Sequence, residues 1–171
     1  MTVGAPVDAG ADIAKLEAGL ASLNTGATFQ FEKTMRHGIG ATKFKVLAAE
    51  PKARRHLKQI LQIIDRADLP DLAREDALIV FRHLGEAEAA VHNLSLDRVH
   101  FREVGAVDSI CDIVASCLAL ALLGIDRIYS SPINVGSGTV ETEDGCCLFL
   151  RRQRHACYTA NPSIHADQPR N

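Results

Sequence analysis

Apolar residues along the chain follow two alternating periods, and each change of period is punctuated by a turn residue. From Asp12 the period is helical: Ile13, Leu16, Leu20 and Leu23 fall on one face, and Asp12 stands where an N-cap belongs. Asn24-Thr25-Gly26 stops that helix. Phe29 and Phe31 then alternate with Gln30 and Glu32, which predicts a strand with one buried face. His37-Gly38 is a turn signal, and Phe44 and Val46 alternating with Lys43 and Lys45 predict a return strand. Ahead of all this, residues 1 to 11 form a short apolar stretch with Gly4, Pro6 and Gly10, for which the pattern predicts no element.

Pro51 marks a break, after which Leu57, Ile60, Leu61 and Ile64 trace the stripe of a short helix. Asp68-Leu69-Pro70-Asp71 is a helix start, since proline is tolerated in the first turn. The helix that follows carries Ala77, Phe81, Leu84 and Val91 on one side, has Arg74, Glu75, Arg82 and Glu86 elsewhere, and is ended by Asn93. A further helix runs up to Gly124. Its apolar residues (Ile110, Ile113, Val114, Cys117, Leu118, Leu120, Ala121, Leu122) wrap most of its circumference, so it is expected at the centre of the fold. Arg127 to Ser130 reads as a short strand, and Pro132 to Thr142 as extended chain with a turn at Gly136-Ser137-Gly138. Beyond Gly145 neither period survives. The fold class implied is α/β, with a mixed or partly parallel sheet packed against helices and a disordered C-terminal tail; no internal repeat is present.

Composition narrows the function classes. With 171 residues and 47% hydrophobic content the chain is long enough for one domain with a substantial core, residues 1–145, followed by the tail, 146–171. A net charge of −2 offers no basic field for nucleic acid. No apolar run approaches the ~20 residues of a membrane span, and no charged-then-apolar leader opens the chain. Five cysteines, odd in number and unevenly placed, do not describe a disulfide framework. A soluble, cytoplasmic protein is the expectation.

Groups able to do chemistry concentrate in His100-Phe-Arg-Glu-Val-Gly-Ala-Val-Asp-Ser-Ile-Cys-Asp112. Two readings stand side by side. Ser109-x-x-Asp112 ahead of an apolar run matches a capping box, with the serine as cap. If the helix starts a residue or two earlier, Asp108 and Asp112 instead lie one turn apart on one face, roughly 5–6 Å between Cβ atoms. Such a pair suits a hard cation such as Mg or Mn. His100 and Glu103, three apart outside the helix, could hold a transition metal between imidazole and carboxylate, or be ordinary loop residues. His56, His83 and His92 fall on helices whose polar faces accommodate them, which points them to solvent. Gly136-Ser137-Gly138 lacks the longer glycine pattern of a phosphate loop and is read as a turn. No catalytic residue is assigned by spacing.

Taken together, His100 to Val114, then Leu122-Leu-Gly-Ile-Asp-Arg-Ile-Tyr-Ser-Ser-Pro132 and Gly136-Ser-Gly138, with Arg55-His-Leu-Lys-Gln-Ile60 and Arg36-His-Gly-Ile-Gly-Ala-Thr42 in the same order, resemble the N-terminal part of the LarC nickel-insertion proteins. The resemblance covers roughly residues 3 to 145. It implies a nickel chelatase, a lyase of nickel-pincer cofactor biosynthesis. Such an enzyme uses CTP and a divalent cation, Mg or Mn, to place its substrate nickel into a pyridinium bis-thiocarboxylate nucleotide, making the cofactor of lactate racemases. Within it, His100, Glu103, Asp108 and Asp112 become candidates for binding metal or nucleotide.

Four departures qualify the resemblance. Arg102 stands where the family has a second histidine, and Glu50-Pro-Lys-Ala53 replaces a histidine-rich run. The opening strand with its glycine- and serine-rich loop has no counterpart, and neither has the C-terminal domain to which nucleotide handling is attributed. The chain is therefore expected to be an N-terminally truncated fragment, inactive alone. The rival expectation is a non-enzymatic nickel carrier that pairs with a separately encoded C-terminal half. The family continues after its Gly-Ser-Gly with Leu-Pro-Val-Pro-Ala-Pro-Ala-Thr, whereas Gly145 here leads into Cys-Cys-Leu-Phe-Leu-Arg-Arg. Written in ordinary codons and read one base earlier, Cys146 to Tyr158 gives Leu-Leu-Pro-Val-Pro-Ala-Pro-Ala-Thr. The tail is thus expected to be a frameshift product, never selected to fold.

Overall fold

The computed structural model describes residues 2–48, 55–101, 105–130, 140–142 and 145–147. The chain divides into two units. The first comprises Met1–Phe81 and His100–Asp126, the second Arg82–Val99 and Arg127–Asn171.

In the first unit the apolar opening stretch forms a short helix, α1 (Gly4–Asp8), where none was expected. Five residues with Gly4 and Pro6 inside them cannot hold a helix by propensity. It persists because Val3, Gly4, Pro6 and Val7 are buried. Gly4 lies so close to the next layer that a Cβ there would collide with the backbone carbonyl of Thr42. Helix α2 (Ile13–Ala21) begins as the sequence indicates: Asp12 accepts hydrogen bonds from the N–H groups of Ala14 (2.9 Å) and Lys15 (3.3 Å). Leu16, Leu20 and Leu23 are buried, while Ile13 is not.

Strands β1 (Thr28–Arg36) and β2 (Ile39–Leu47) form an antiparallel hairpin closed by His37 and Gly38, with φ of 50° and 81°. Two consecutive positive φ values make the turn whose twist suits a two-residue hairpin loop. Phe31 stands opposite Phe44, and Phe29 stacks on the same ring at 6.1 Å, so an apolar face forms, but Phe29, Phe31, Phe44 and Val46 are half-buried rather than buried as expected. Strand β3 (Arg55–His56) leads directly into α3 (Leu57–Arg66), which buries Leu57, Ile60 and Ile64. Helix α4 (Asp71–His92) follows Pro70 and runs from the first unit into the second. Arg74 holds the turn ahead of it, donating to the carbonyls of Leu69 (2.8 Å) and Ala67 (3.3 Å). Strand β4 (His100–Phe101) pairs antiparallel with β3. Helix α5 (Val107–Leu122) lies against α1, α2 and β2. Ile110, Cys111, Val114, Ala115, Cys117, Leu118 and Ala119 are all buried, which makes α5 the central element its composition suggested. Gly124, at φ 66°, turns the chain away from it.

In the second unit, α4 ends at His92 and Asn93 takes φ 52°, as the asparagine signal indicated. A single 3₁₀ turn spans Leu96–Arg98. Arg127 to Ser130, expected as a strand, is not in any ladder; Ile128 and Tyr129 are exposed and bring no buried face to a sheet. Strands β5 (Val140–Thr142) and β6 (Gly145–Cys147) pair antiparallel. Cys146 and Cys147 lie in that ladder, and residues 148–171 lie outside the described residues. The mixed α/β class holds, with every described ladder antiparallel. Among the described residues no helix is long and apolar enough to cross a membrane.

Candidate functional site

The β3–β4 ladder and the start of α5 bring the chemistry-bearing residues of the first unit together. Only two residue pairs form that ladder, Arg55 with Phe101 and His56 with His100. Alternation along a strand sends these pairs to opposite faces. On one face Phe101, 2% exposed, meets the Phe81 ring edge-on at 6.5 Å and anchors the ladder in the core. The Arg55 guanidinium donates to the Gly105 carbonyl at 3.0 Å and ties the ladder to the loop that enters α5. Gly105 fits because it has no side chain: a Cβ would stand 2.6 Å from the Phe101 carbonyl oxygen and 3.1 Å from the Arg55 nitrogen.

On the other face, the His56 and His100 rings meet edge to face with centroids 5.9 Å apart. His56 is exposed and His100 half-buried. His56 also precedes the first turn of α3, where its N–H donates to Gln59 Oε1 at 3.0 Å. Sequence reasoning placed His56 on a polar helix face and missed its partner, because only a tertiary contact joins the two. His83 and His92 do sit on polar faces, 3.3 Å from Glu86 and Glu88 respectively.

The capping-box reading of Ser109 and Asp112 is overturned. Ala106 occupies the N-cap of α5, so Ser109 is already inside the first turn. The helix starts early because the close approach at Gly105 fixes where the chain can begin to coil. The other reading of the same residues is the one observed: Asp108 and Asp112 stand one turn apart. Asp108 accepts the Ser109 N–H at 2.8 Å, within the helix's own first turn, where a carboxylate complements the helix dipole. Partial desolvation, reinforced by the Asp108 charge, raises the Asp112 carboxyl above its ordinary 3.8. Beneath them Cys111 is buried, with Thr25 Oγ1 3.9 Å from its sulfur. Burial pushes its thiol up to about 11, and that of Cys117 likewise. Neither is a nucleophile at neutral pH.

His100 is thus brought to His56, and Asp108 to Asp112. Glu103, like Gly136-Ser137-Gly138, lies outside the described residues. Among those described, no group of three or more His, Cys, Asp or Glu side chains is assembled as a metal centre.

Comparison with known proteins decides the family. The sequence profile described as "Nickel insertion protein" matches residues 1–148. The chain belongs to the nickel insertion protein family. A Synechococcus elongatus protein that also goes by the family's name is 44% identical over 148 residues. A Desulfitobacterium hafniense relative, named pyridinium-3,5-bisthiocarboxylic acid mononucleotide nickel insertion protein, is 42% identical over 146. Each alignment takes in 85% of this chain, but only 37% and 36% of those two relatives, so this member of the nickel insertion family spans less than two-fifths of their length. No solved structure matches it.

Proposed function

We propose that this chain supplies the N-terminal, metal-handling part of a nickel-insertion reaction on a pyridinium-3,5-bisthiocarboxylic acid mononucleotide. The observation that carries the proposal is the 42% identity to the Desulfitobacterium hafniense relative bearing that name. The reaction is proposed to be the CTP-dependent chelatase step, a lyase activity in the cytoplasm. The CTP-handling groups are proposed to lie in the part of the relatives that this chain does not cover, so the chain alone is inactive. A rival reading, a nickel carrier that pairs with a separate C-terminal chain, is supported by the chain covering only 37% and 36% of two full-length relatives.

Incubating the purified chain with nickel, CTP and the nucleotide tests these readings, with the full-length Desulfitobacterium hafniense relative as positive control. The expected outcome is no CTP consumed and no nickel-containing nucleotide from this chain, with both seen in the control. CTP turnover by this chain alone would contradict the division of labour.

We also propose that residues 146–171 take no part in this function and are translated out of frame. The family match stopping at residue 148, within the first residues of this segment, is the observation that favours it. An open reading of the gene's other frame just after the Gly145 codon is expected; stop codons there would overturn it.

A further inference from the structure

We propose that the outer edge of β1 joins the same edge of a second copy of this chain, in an antiparallel two-fold dimer centred on Phe31. Strand β1 spans Thr28–Arg36 without a proline or glycine, and among the described strands it pairs with β2 alone. Which of its groups face outward follows from Asp8. That carboxylate takes the Thr42 N–H from outside the hairpin, at 2.6 Å, so Thr42 and the opposite residue, Lys33, turn their backbone groups away from each other. By alternation Phe29, Phe31, Lys33 and Met35 all present N–H and C=O to the outer side of β1. Among the described residues, no backbone hydrogen bond from outside the hairpin reaches those groups.

The two edges of the hairpin are treated differently. On β2 the outer edge is covered at Thr42, where Asp8 holds the N–H and Gly4 lies against the carbonyl. A long edge left bare, as on β1, is a template for another strand. The side chains that alternate onto one face there are Phe29 and Phe31, half-buried, and Met35, 72% exposed. Two-fold pairing within one sheet sets like faces on the same side, so this apolar row continues into the second copy.

Charge selects the partner and the register. A full or near-full overlap of β1 with itself places the axis at Glu32, Lys33 or Phe31. An axis at Glu32 sets two carboxylates directly opposite, and one at Lys33 sets two ammonium groups opposite; both are unfavourable. An axis at Phe31 sets ring against ring, Thr28 against Thr34, Gln30 against Glu32 and Lys33 against Phe29. Each of these is a pair of the kind that stabilises neighbouring strands. Phe29, Phe31 and Lys33 then exchange roughly six backbone hydrogen bonds across the axis. One ladder is a small interface, so the dimer forms and dissociates with concentration.

Sedimentation equilibrium of the whole chain, over a wide concentration range, tests the proposal together with two variants of the exposed Gln30. Gln30→Glu sets like charges across the axis twice and should weaken the dimer by about tenfold, whereas Gln30→Lys should tighten it. Within the monomer Gln30 stands opposite Lys45, so the same two changes act on the fold in the reverse sense. A weaker dimer in Gln30→Glu is therefore not a misfolded chain. Amide exchange of Phe29, Phe31 and Lys33 is expected to slow only at concentrations where the dimer forms. A wild-type chain that stays monomeric throughout overturns the proposal, as does a dimer that neither Gln30 variant shifts. A monomer whose β1 amides become protected only on adding the remainder of a full-length relative gives the edge to a different occupant and overturns it as well.

Discussion

Gly105 shows how much of the site hangs on one residue without a side chain. Its neighbours there are backbone atoms, the Phe101 carbonyl and the Arg55 amide, which cannot swing aside as a side-chain tip would. Gly105→Ala is therefore expected to cost about 1–3 kcal/mol, the usual range for overfilling a packed site. It should also separate the His56 and His100 rings. A lowered urea midpoint together with loss of contacts between the two rings in nuclear Overhauser spectra is the expected result; an unchanged midpoint would mean the loop can back away. This residue also explains where reading the sequence went astray. Ser109-x-x-Asp112 has the letters of a capping box, but a cap is set by where the chain enters the helix. The approach of Gly105 to β3 and β4 puts Ala106 at that entry. The pairing of His56 with His100 was equally hidden, because strands of two residues carry no period to read.

Among the elements, the hairpin was legible and its attachment was not. Alternating Phe29, Phe31, Phe44 and Val46 around His37-Gly38 state strand, turn and strand outright, and the pairing agrees with the structure, though the apolar face is only half-buried. What binds α1 to the hairpin is Asp8. Its carboxylate accepts from the Thr42 N–H (2.6 Å), the Thr42 hydroxyl (2.7 Å) and Lys33 Nζ (2.7 Å). A lone aspartate after a five-residue apolar stretch gives no sign of this. The Lys33 ammonium, then the Thr42 hydrogen bonds, lower the Asp8 carboxyl from 3.8 to about 2. A carboxyl depressed on folding stabilises the fold above its unfolded value and loses that contribution as pH falls through its folded one. Asp8→Asn should therefore melt below wild type by a gap that is constant above about pH 5 and closes between about pH 4 and 2. Melting curves of both proteins across that range check it, and a gap independent of pH would show that Asp8 acts through shape alone.

At the scale of the molecule, composition and period gave the α/β class and the central place of α5, while the separate motifs gave the resemblance that the family match bears out. They did not foresee α1, which exists only through burial, or the β5–β6 ladder that carries pairing to Cys147. The central claim is that residues shared with the family do the family's metal work. A hybrid in which residues 1–145 of this chain replace the matching part of the Desulfitobacterium hafniense relative tests it most directly. The measurement is the mass of the pyridinium-3,5-bisthiocarboxylic acid mononucleotide after incubation with the hybrid, nickel and CTP. The account predicts a nickel-containing nucleotide. A folded hybrid that leaves the nucleotide free of nickel, while the intact relative loads it, would contradict the account.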